Sequence, residues 1–137
     1  MKVIIDTNIW ISYLIGKSLA QLTPFLQSGE IVLALSKELI DEISEVTTRP
    51  KLQKYFPKER VVELFSLLDI IGEEYEITAI PPICRDPKDD FLLALATVSN
   101  ADYLVSGDKD LLDLQVHHQT KIITATQFLE TLGGLEG

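Results

Sequence analysis

The fold class this sequence predicts is α/β: a mostly parallel sheet of about four to five strands flanked by helices, in one domain spanning residues 1–137. Three observations point there. Short apolar, β-rich runs alternate along the chain with longer stretches of helical period. The composition, 46% hydrophobic and 24% charged, is that of an ordinary globular protein. The length of 137 residues suits one core, and no repeat, linker or low-complexity stretch divides it.

Lys2–Ile5 is a short β-rich run ending at Asp6 and reads as a buried first strand. Ile9, Trp10, Tyr13 and Leu14 then recur at helical spacing over 8–15, up to Gly16. Leu19–Leu26 is helical too, with Pro24 expected to break or restart it. Ile31–Leu35 is a second apolar strand. Ser36 is a good N-cap for a helix to about Val46, which the Thr-Thr-Arg-Pro stretch at 47–50 ends. Pro57–Ile71 is a further helix closed by Gly72, and Tyr75–Ile77 is a candidate short strand before Pro81-Pro82. Asp86 and Pro87 open a helix that ends near Asn100. Asp102–Ser106 and Lys121–Ile123 are the remaining strands. Thr124 and Gln127 have capping-box spacing for the last helix, which Gly133-Gly134 is expected to terminate.

Composition narrows the function. Cys84 is alone, so no internal disulfide forms and a reducing, cytoplasmic setting is expected. The opening Met1–Asn8 meets an aspartate after four more residues, which fits no signal peptide. No apolar stretch approaches the ~20 residues that span a bilayer, so no membrane partner is expected. The net charge of −9 speaks against a protein that grips nucleic acid with its whole surface. Phosphate binding by so acidic a chain needs local Lys and Arg, or cations that reverse the local sign.

The acids are placed suggestively. Sheets of this class bind ligands beyond the carboxyl ends of their strands, where Asp6 and the Ser106-Gly107-Asp108 stretch fall. On the helix after Ser36, with about 100° per residue, Leu39, Ile40, Ile43 and Val46 form the core stripe. Asp41 and Glu45 lie nearly opposite it, whereas Glu42 sits at its edge, roughly 90° from the centre. The helix after Pro87 is apolar nearly all round, so a polar residue on it needs explaining. Asp86, Asp90 and Thr97 fall along one line of its surface. Asp86 is accounted for as the N-cap and Asp89 by the helix dipole, which leaves Asp90 as the site residue. Each acid also has a plainer reading: Asp6 as a turn residue, Glu42 as a boundary residue, Asp108 or Asp110 as the cap of a short helix. Together they imply a cation, because several carboxylates in one crevice repel unless a cation shares them. Carboxylates without Cys or His suit Mg²⁺ or Mn²⁺ rather than zinc. His117 and His118 read as surface loop residues.

Taken in order, "VIIDTNIWIS", "LSKELIDEISEVTTRPKL", "CRDPKDDFLLALATVSNADYLVSGDKDLL" and "IITATQFLETL" resemble the motifs of PIN-domain proteins, in the bacterial toxin-like branch akin to the VapC ribonucleases. The resemblance covers essentially the whole chain, and its strength lies in the ordered set rather than in any one motif. It implies a three-layer sandwich with an acidic pocket for Mg²⁺ or Mn²⁺. It matches the catalytic and metal-binding acids to Asp6, Glu42, Asp90 and Asp108, with Asp110 as a further ligand. Thr7, Asn8 and Ser106 are expected to support them. The activity implied is metal-dependent endonucleolytic hydrolysis of single-stranded RNA, leaving a 5′-phosphate and a 3′-hydroxyl. The partners implied are a protein antitoxin, in a type II toxin–antitoxin system, and a second copy of the chain in a homodimer.

An RNA track fits this reading. Arg49, Lys51, Lys54, Lys58 and Arg60 crowd one connector with Tyr55 and Phe56 between them, and aromatics among basic residues suit unpaired bases. The plainer reading packs those aromatics on the core. Arg85, Lys88 and Lys109 stand beside the acid motifs, where a scissile phosphate would lie. Two other functions compete. A catalytically inactive PIN-fold module that binds RNA or protein would not require four carboxylates in one pocket. A phosphotransferase of the haloacid-dehalogenase kind would want a second aspartate two residues after Asp6, where the chain has Asn8.

Overall fold

A computed structural model of the chain describes residues 1–15, 19–80 and 87–136. In chain order the elements are strand β1 (Lys2–Ile5), helices α1 (Thr7–Ile15) and α2 (Leu19–Ser28), strand β2 (Val32–Leu35), helix α3 (Lys37–Thr47), a 3₁₀ turn at Pro50–Leu52, and helix α4 (Lys58–Ile71). Strand β3 (Gly72–Glu74), helix α5 (Pro87–Ser99), strand β4 (Tyr103–Val105), the short helix α6 (Lys109–Leu112), strands β5 (Val116–His117) and β6 (Thr120–Ile123), and helix α7 (Ala125–Glu136) complete it.

Among the described residues the strands form one six-stranded sheet in the order β3-β2-β1-β4-β6-β5. Every neighbouring pair is parallel except β5 with β6. The chain therefore leaves β1 toward β2 and β3 on one side, then returns past β1 to build β4 and β6 on the other. Parallel crossovers are right-handed, so connections running in opposite directions place their helices on opposite faces of the sheet. That puts α1 to α4 on one face and α5 on the other, the expected three layers.

The centre of the sheet is dry. Val3, Ile4, Leu33, Leu104 and Val105 are at most 1% exposed. Trp10, Leu39, Ile43 and Leu64 cover one face, and α5 buries every residue from Phe91 to Ala96. Each such aliphatic side chain taken from water contributes about 1.5–3 kcal/mol.

Local signals set the ends of the helices. The Ser36 hydroxyl accepts the Leu39 N–H at 3.2 Å, capping α3. Thr124 and Gln127 form a reciprocal capping box, with bonds of 2.9 and 3.1 Å, at the head of α7. Asn100 adopts a left-handed conformation (φ 53°) just after α5, which lets the chain turn into β4.

The structure corrects four expectations. Helix α2 runs through Pro24 without a break. Burial of Leu22, Phe25 and Leu26 holds it across the missing N–H bond. Helix α7 likewise runs through Gly133 and Gly134, pinned by Phe128 and Leu132 at 0 and 2% exposure. The edge strand lies at Gly72–Glu74 rather than 75–77. A β-carbon on Gly72 would overlap the Leu35 side chain and approach the Leu68 carbonyl oxygen to 2.6 Å, so glycine lets the strand pack against α4. Finally, His117 is in strand β5 and His118 turns the hairpin with φ 53°, so the pair is not plain surface loop. Cys84 and Asp86 lie outside the described residues.

Candidate active site

Strand order reverses between β1 and β4, and a crevice opens beyond the carboxyl ends of two strands that diverge in this way. Asp6 leaves β1 there, and its N–H donates to the Val105 carbonyl of β4 at 3.0 Å. Its own carbonyl accepts the N–H groups of Ile9 and Trp10, so the same residue starts α1. The Asp6 carboxylate is thus held rigidly at the mouth of the sheet, 7% exposed.

Ser106, fully buried at the end of β4, ties the two strand ends together. Its hydroxyl donates to Asp6 Oδ2 at 2.8 Å and accepts the Asp108 N–H at 3.0 Å. Asp108 in turn accepts the Asp110 N–H at 2.8 Å and caps α6. The capping role expected as an alternative for Asp108 is real, and the residue faces the crevice as well.

A cleft of about 220 Å³ lies over these groups, and Asp6, Thr7, Asn8, Glu42, Asp89 and Asp108 line it. The carboxylates come from the end of β1, from α3, from the head of α5 and from the loop after β4. Glu42 enters from the edge of α3's buried stripe and is half-buried. Asp89, Asp108 and Asp110 each bring a carboxylate oxygen within 4.8 Å of the others, a group that could hold a metal ion. Glu45, Val46 and Arg49 complete the wall on the α3 side.

The electrostatics follow from the crowding. The Asp6 carboxyl is pushed above the usual carboxylate range, chiefly by burial and further by the negative charges of Glu42 and Asp108. The hydrogen bonds from Ser106 and from the Thr7 backbone oppose that rise. The Thr7 hydroxyl, 2% exposed in the cleft wall, has no hydrogen-bond partner among the described residues. A divalent cation with its waters would relieve both features, and an all-oxygen donor set suits one.

The structure separates the two aspartates of α5. Asp90, the expected site residue, is 4% exposed and does not line the cleft; Asp89 does. Asp89 and Leu92, three residues apart, share the cleft-facing side of the helix. The line on which Asp90 and Thr97 lie is continued by Ala94. Ala94 and Thr97 border a different cavity, of about 330 Å³, together with Ile77, His117 and His118. Asp89 was hidden because α5 is apolar all round: with Phe91 to Ala96 all buried, periodicity has no polar face with which to orient the helix.

Of the basic residues, Arg49 reaches the cleft. Lys51 and Lys54 are exposed on the neighbouring connector, where Lys54 stacks on the Tyr55 ring at 5.0 Å. Phe56 is 2% exposed and belongs to the core, so Tyr55, 47% exposed, is the aromatic open to a base. Lys109 pairs with Asp113 at 3.4 Å on the surface. Arg85 and the Lys88 side chain lie outside the described residues. His117 approaches Thr97 Oγ1 at 3.1 Å, and burial and the adjacent His118 hold its pKa below the usual value.

Comparison with known proteins agrees with this architecture. Residues 2–110 match the family model described as the PIN domain. An uncharacterized protein of Methanocaldococcus jannaschii is 28% identical over 141 residues, covering 95% of this chain and 90% of its own. Among solved structures, the crystal structure of VapBC2 from Rickettsia felis bound to a DNA fragment from their promoter has a similar fold. It superposes with a TM-score of 0.58 at 16% identity, over 90% of this chain and 98% of that one. Together with the crevice at the β1/β4 divide, the family match settles kinship: the chain belongs to the PIN-domain family, whose members are in general nucleases.

Proposed function

We propose that this chain is a divalent-metal-dependent endoribonuclease that hydrolyses phosphodiester bonds of single-stranded RNA. The observation that carries the reading is the convergence of Asp6, Glu42, Asp89 and Asp108 from four separate segments onto one cleft. Asp89 takes the place expected for Asp90. Asp6, Glu42, Asp89 and Asp108 would hold Mg²⁺ or Mn²⁺, with Asp110 at the edge of the set. When bound, such an ion supplies acidification of water and neutralisation of phosphate charge.

The chain's own residues do the rest. Ser106 holds the Asp6 carboxylate by donating to it and holds the Asp108 loop by accepting its backbone N–H, so one hydroxyl ties together the segments that carry both acids. Thr7 and Asn8 offer polar contacts beside Asp6. Leu92 gives one wall an apolar surface that limits bulk water. Arg49, Lys51, Lys54, Arg85, Lys88 and Lys109 are the cations proposed to meet the RNA backbone. No protein nucleophile is required.

The structural kinship with a VapB–VapC assembly supports a toxin role with a protein antitoxin as partner, and a homodimer is part of the same proposal. The single cysteine and the RNA target suit a cytoplasmic protein. Among the described residues no helix is long and apolar enough to cross a membrane.

An end-labelled RNA cleavage assay tests the reading. Wild type should cut single-stranded RNA with Mn²⁺ or Mg²⁺ and stop with EDTA. Asp6→Asn and Asp89→Asn should each lower the rate by about a hundredfold or more, the scale of losing a group that acts only in the transition state. Cutting that survives EDTA and both substitutions would place the chemistry elsewhere. No cutting of any RNA, together with no metal binding by calorimetry, would leave a PIN fold that binds without catalysis.

A further inference from the structure

We propose that Arg49 is the phosphate-binding residue of the cleft, and that Glu45 positions it there as a carboxylate the RNA phosphate must displace. The proposal deepens the nuclease reading and rests on it. Glu42, Glu45, Val46 and Arg49 all line the cleft, and they follow the i, i+3, i+4, i+7 spacing of a single helical face. Helix α3 ends at Thr47, but the Arg49 N–H still donates to the Val46 carbonyl at 3.3 Å, so the last turn carries Arg49 over that same face. Pro50 then turns the chain away. The outcome is a guanidinium at the rim of an otherwise acidic cleft, the one cation lining it among the described residues.

Arg49 Nη2 donates to Glu45 Oε1 at 3.2 Å. Both side chains are largely exposed, 52 and 71%, and an exposed pair at i, i+4 is a weak hold. It is strong enough to bias the guanidinium toward the cleft and weak enough to be exchanged. A phosphate diester offers a pair of acceptor oxygens as a carboxylate does, so the guanidinium that donates one hydrogen bond to Glu45 can donate to the RNA backbone instead. With Glu42 two turns before Arg49 on the same face and both lining the cleft, the guanidinium would hold a phosphate over the acids' own cleft rather than at a remote anchor. Lys51 and Lys54 lie farther along the connector and outside the cleft wall.

The test uses the full chain carrying Asp6→Asn, chosen to slow cutting, and follows the anisotropy of a labelled single-stranded RNA across a salt series. Arg49→Gln should weaken binding about three- to tenfold and reduce the slope of log affinity against log salt by about 0.7, the signature of one lost phosphate contact on a single strand. Arg49→Lys should restore part of the affinity. On the active background, Arg49→Gln should raise KM more than it lowers kcat. Glu45→Gln should tighten RNA binding about twofold with Arg49 present and change nothing with Gln at 49, because only the competition is removed. An equal gain in both backgrounds would mean that Glu45 acts as a general negative charge, and the displacement idea falls. Intact cutting and binding with Arg49→Gln unchanged would overturn the Arg49 assignment alone. Absence of both cutting and binding in the wild type would overturn the nuclease reading, and this proposal with it.

Discussion

Asp6 carries a conflict that a stability measurement can expose. Burial and two neighbouring carboxylates hold its folded-state pKa above the unfolded value. A group shifted this way contributes stability below the unfolded pKa and loses it as pH rises through the folded pKa. Without metal, the folded protein should therefore weaken as pH climbs from about 4, the unfolded aspartate value, toward neutrality. Asn is neutral at every pH and still accepts the Ser106 hydrogen bond. Asp6→Asn should melt higher than wild type at pH 7 in EDTA by roughly 3–5 °C, about 1 kcal/mol for a domain of this size. The two should coincide below pH 4. Mn²⁺ should reverse the ranking, because the ion stabilises only the chain that binds it. A wild type that melts higher than the variant in EDTA at pH 7 would show that Asp6 is not strained. The aspartates of α5 give a second residue-scale test. Asp89→Asn should abolish calorimetric Mn²⁺ binding at constant fold, whereas Asp90→Asn should leave it within about threefold and act, if at all, through stability. The reverse result would restore Asp90 to the site.

At the level of elements, glycine shows how local signals and packing divide the work. Gly72 sits where a β-carbon would strike Leu35 and the Leu68 carbonyl, so Gly72→Ala should cost about 1–3 kcal/mol by forcing β3 off α4. Nothing lies within 4 Å of a β-carbon at Gly133 or Gly134, and both are helical. Gly133→Ala with Gly134→Ala should stabilise by about 1–2 kcal/mol through helix propensity alone. Urea denaturation reads both. Caps at Ser36 and Thr124 were legible in the sequence because their signal is local: an oxygen three residues ahead of an N–H. Pro24 and Gly133-Gly134 misled because the same local logic was overruled by buried side chains several residues away. Strand β5 was invisible for another reason. It is two residues long, and its turn uses a left-handed histidine instead of an Asn-Gly pair.

For the molecule as a whole, the sheet order and the net charge of −9 belong together. The alternation of apolar runs makes the α/β class and the parallel sheet readable, and the strand-end rule places the crevice from sequence alone. The turn of α5 about its axis depends on what packs against all sides of it, and no one-dimensional pattern encodes that. An acidic protein that acts on a polyanion needs cations at the point of contact. RNA affinity should therefore rise with Mn²⁺ by tenfold or more while monovalent salt lowers it, and both effects are open to the same anisotropy measurement.

The hydrogen bond between Ser106 and Asp6 spans 100 residues of sequence, and it bears on how such a cleft is made. During translation Asp6 and Glu42 emerge early, but β4, the partner that seats Asp6, leaves the ribosome only when most of the chain has been synthesised. The cleft closes by a long-range pairing that no shorter intermediate can form, and such contacts come late in folding. On the proposed ribonuclease reading, a nascent chain would leave the messenger that encodes it uncut until near the end of its own synthesis. A premature stop before Tyr103 leaves Asp6, Glu42 and Asp89 without β4 and without the Asp108 loop that complete the cleft.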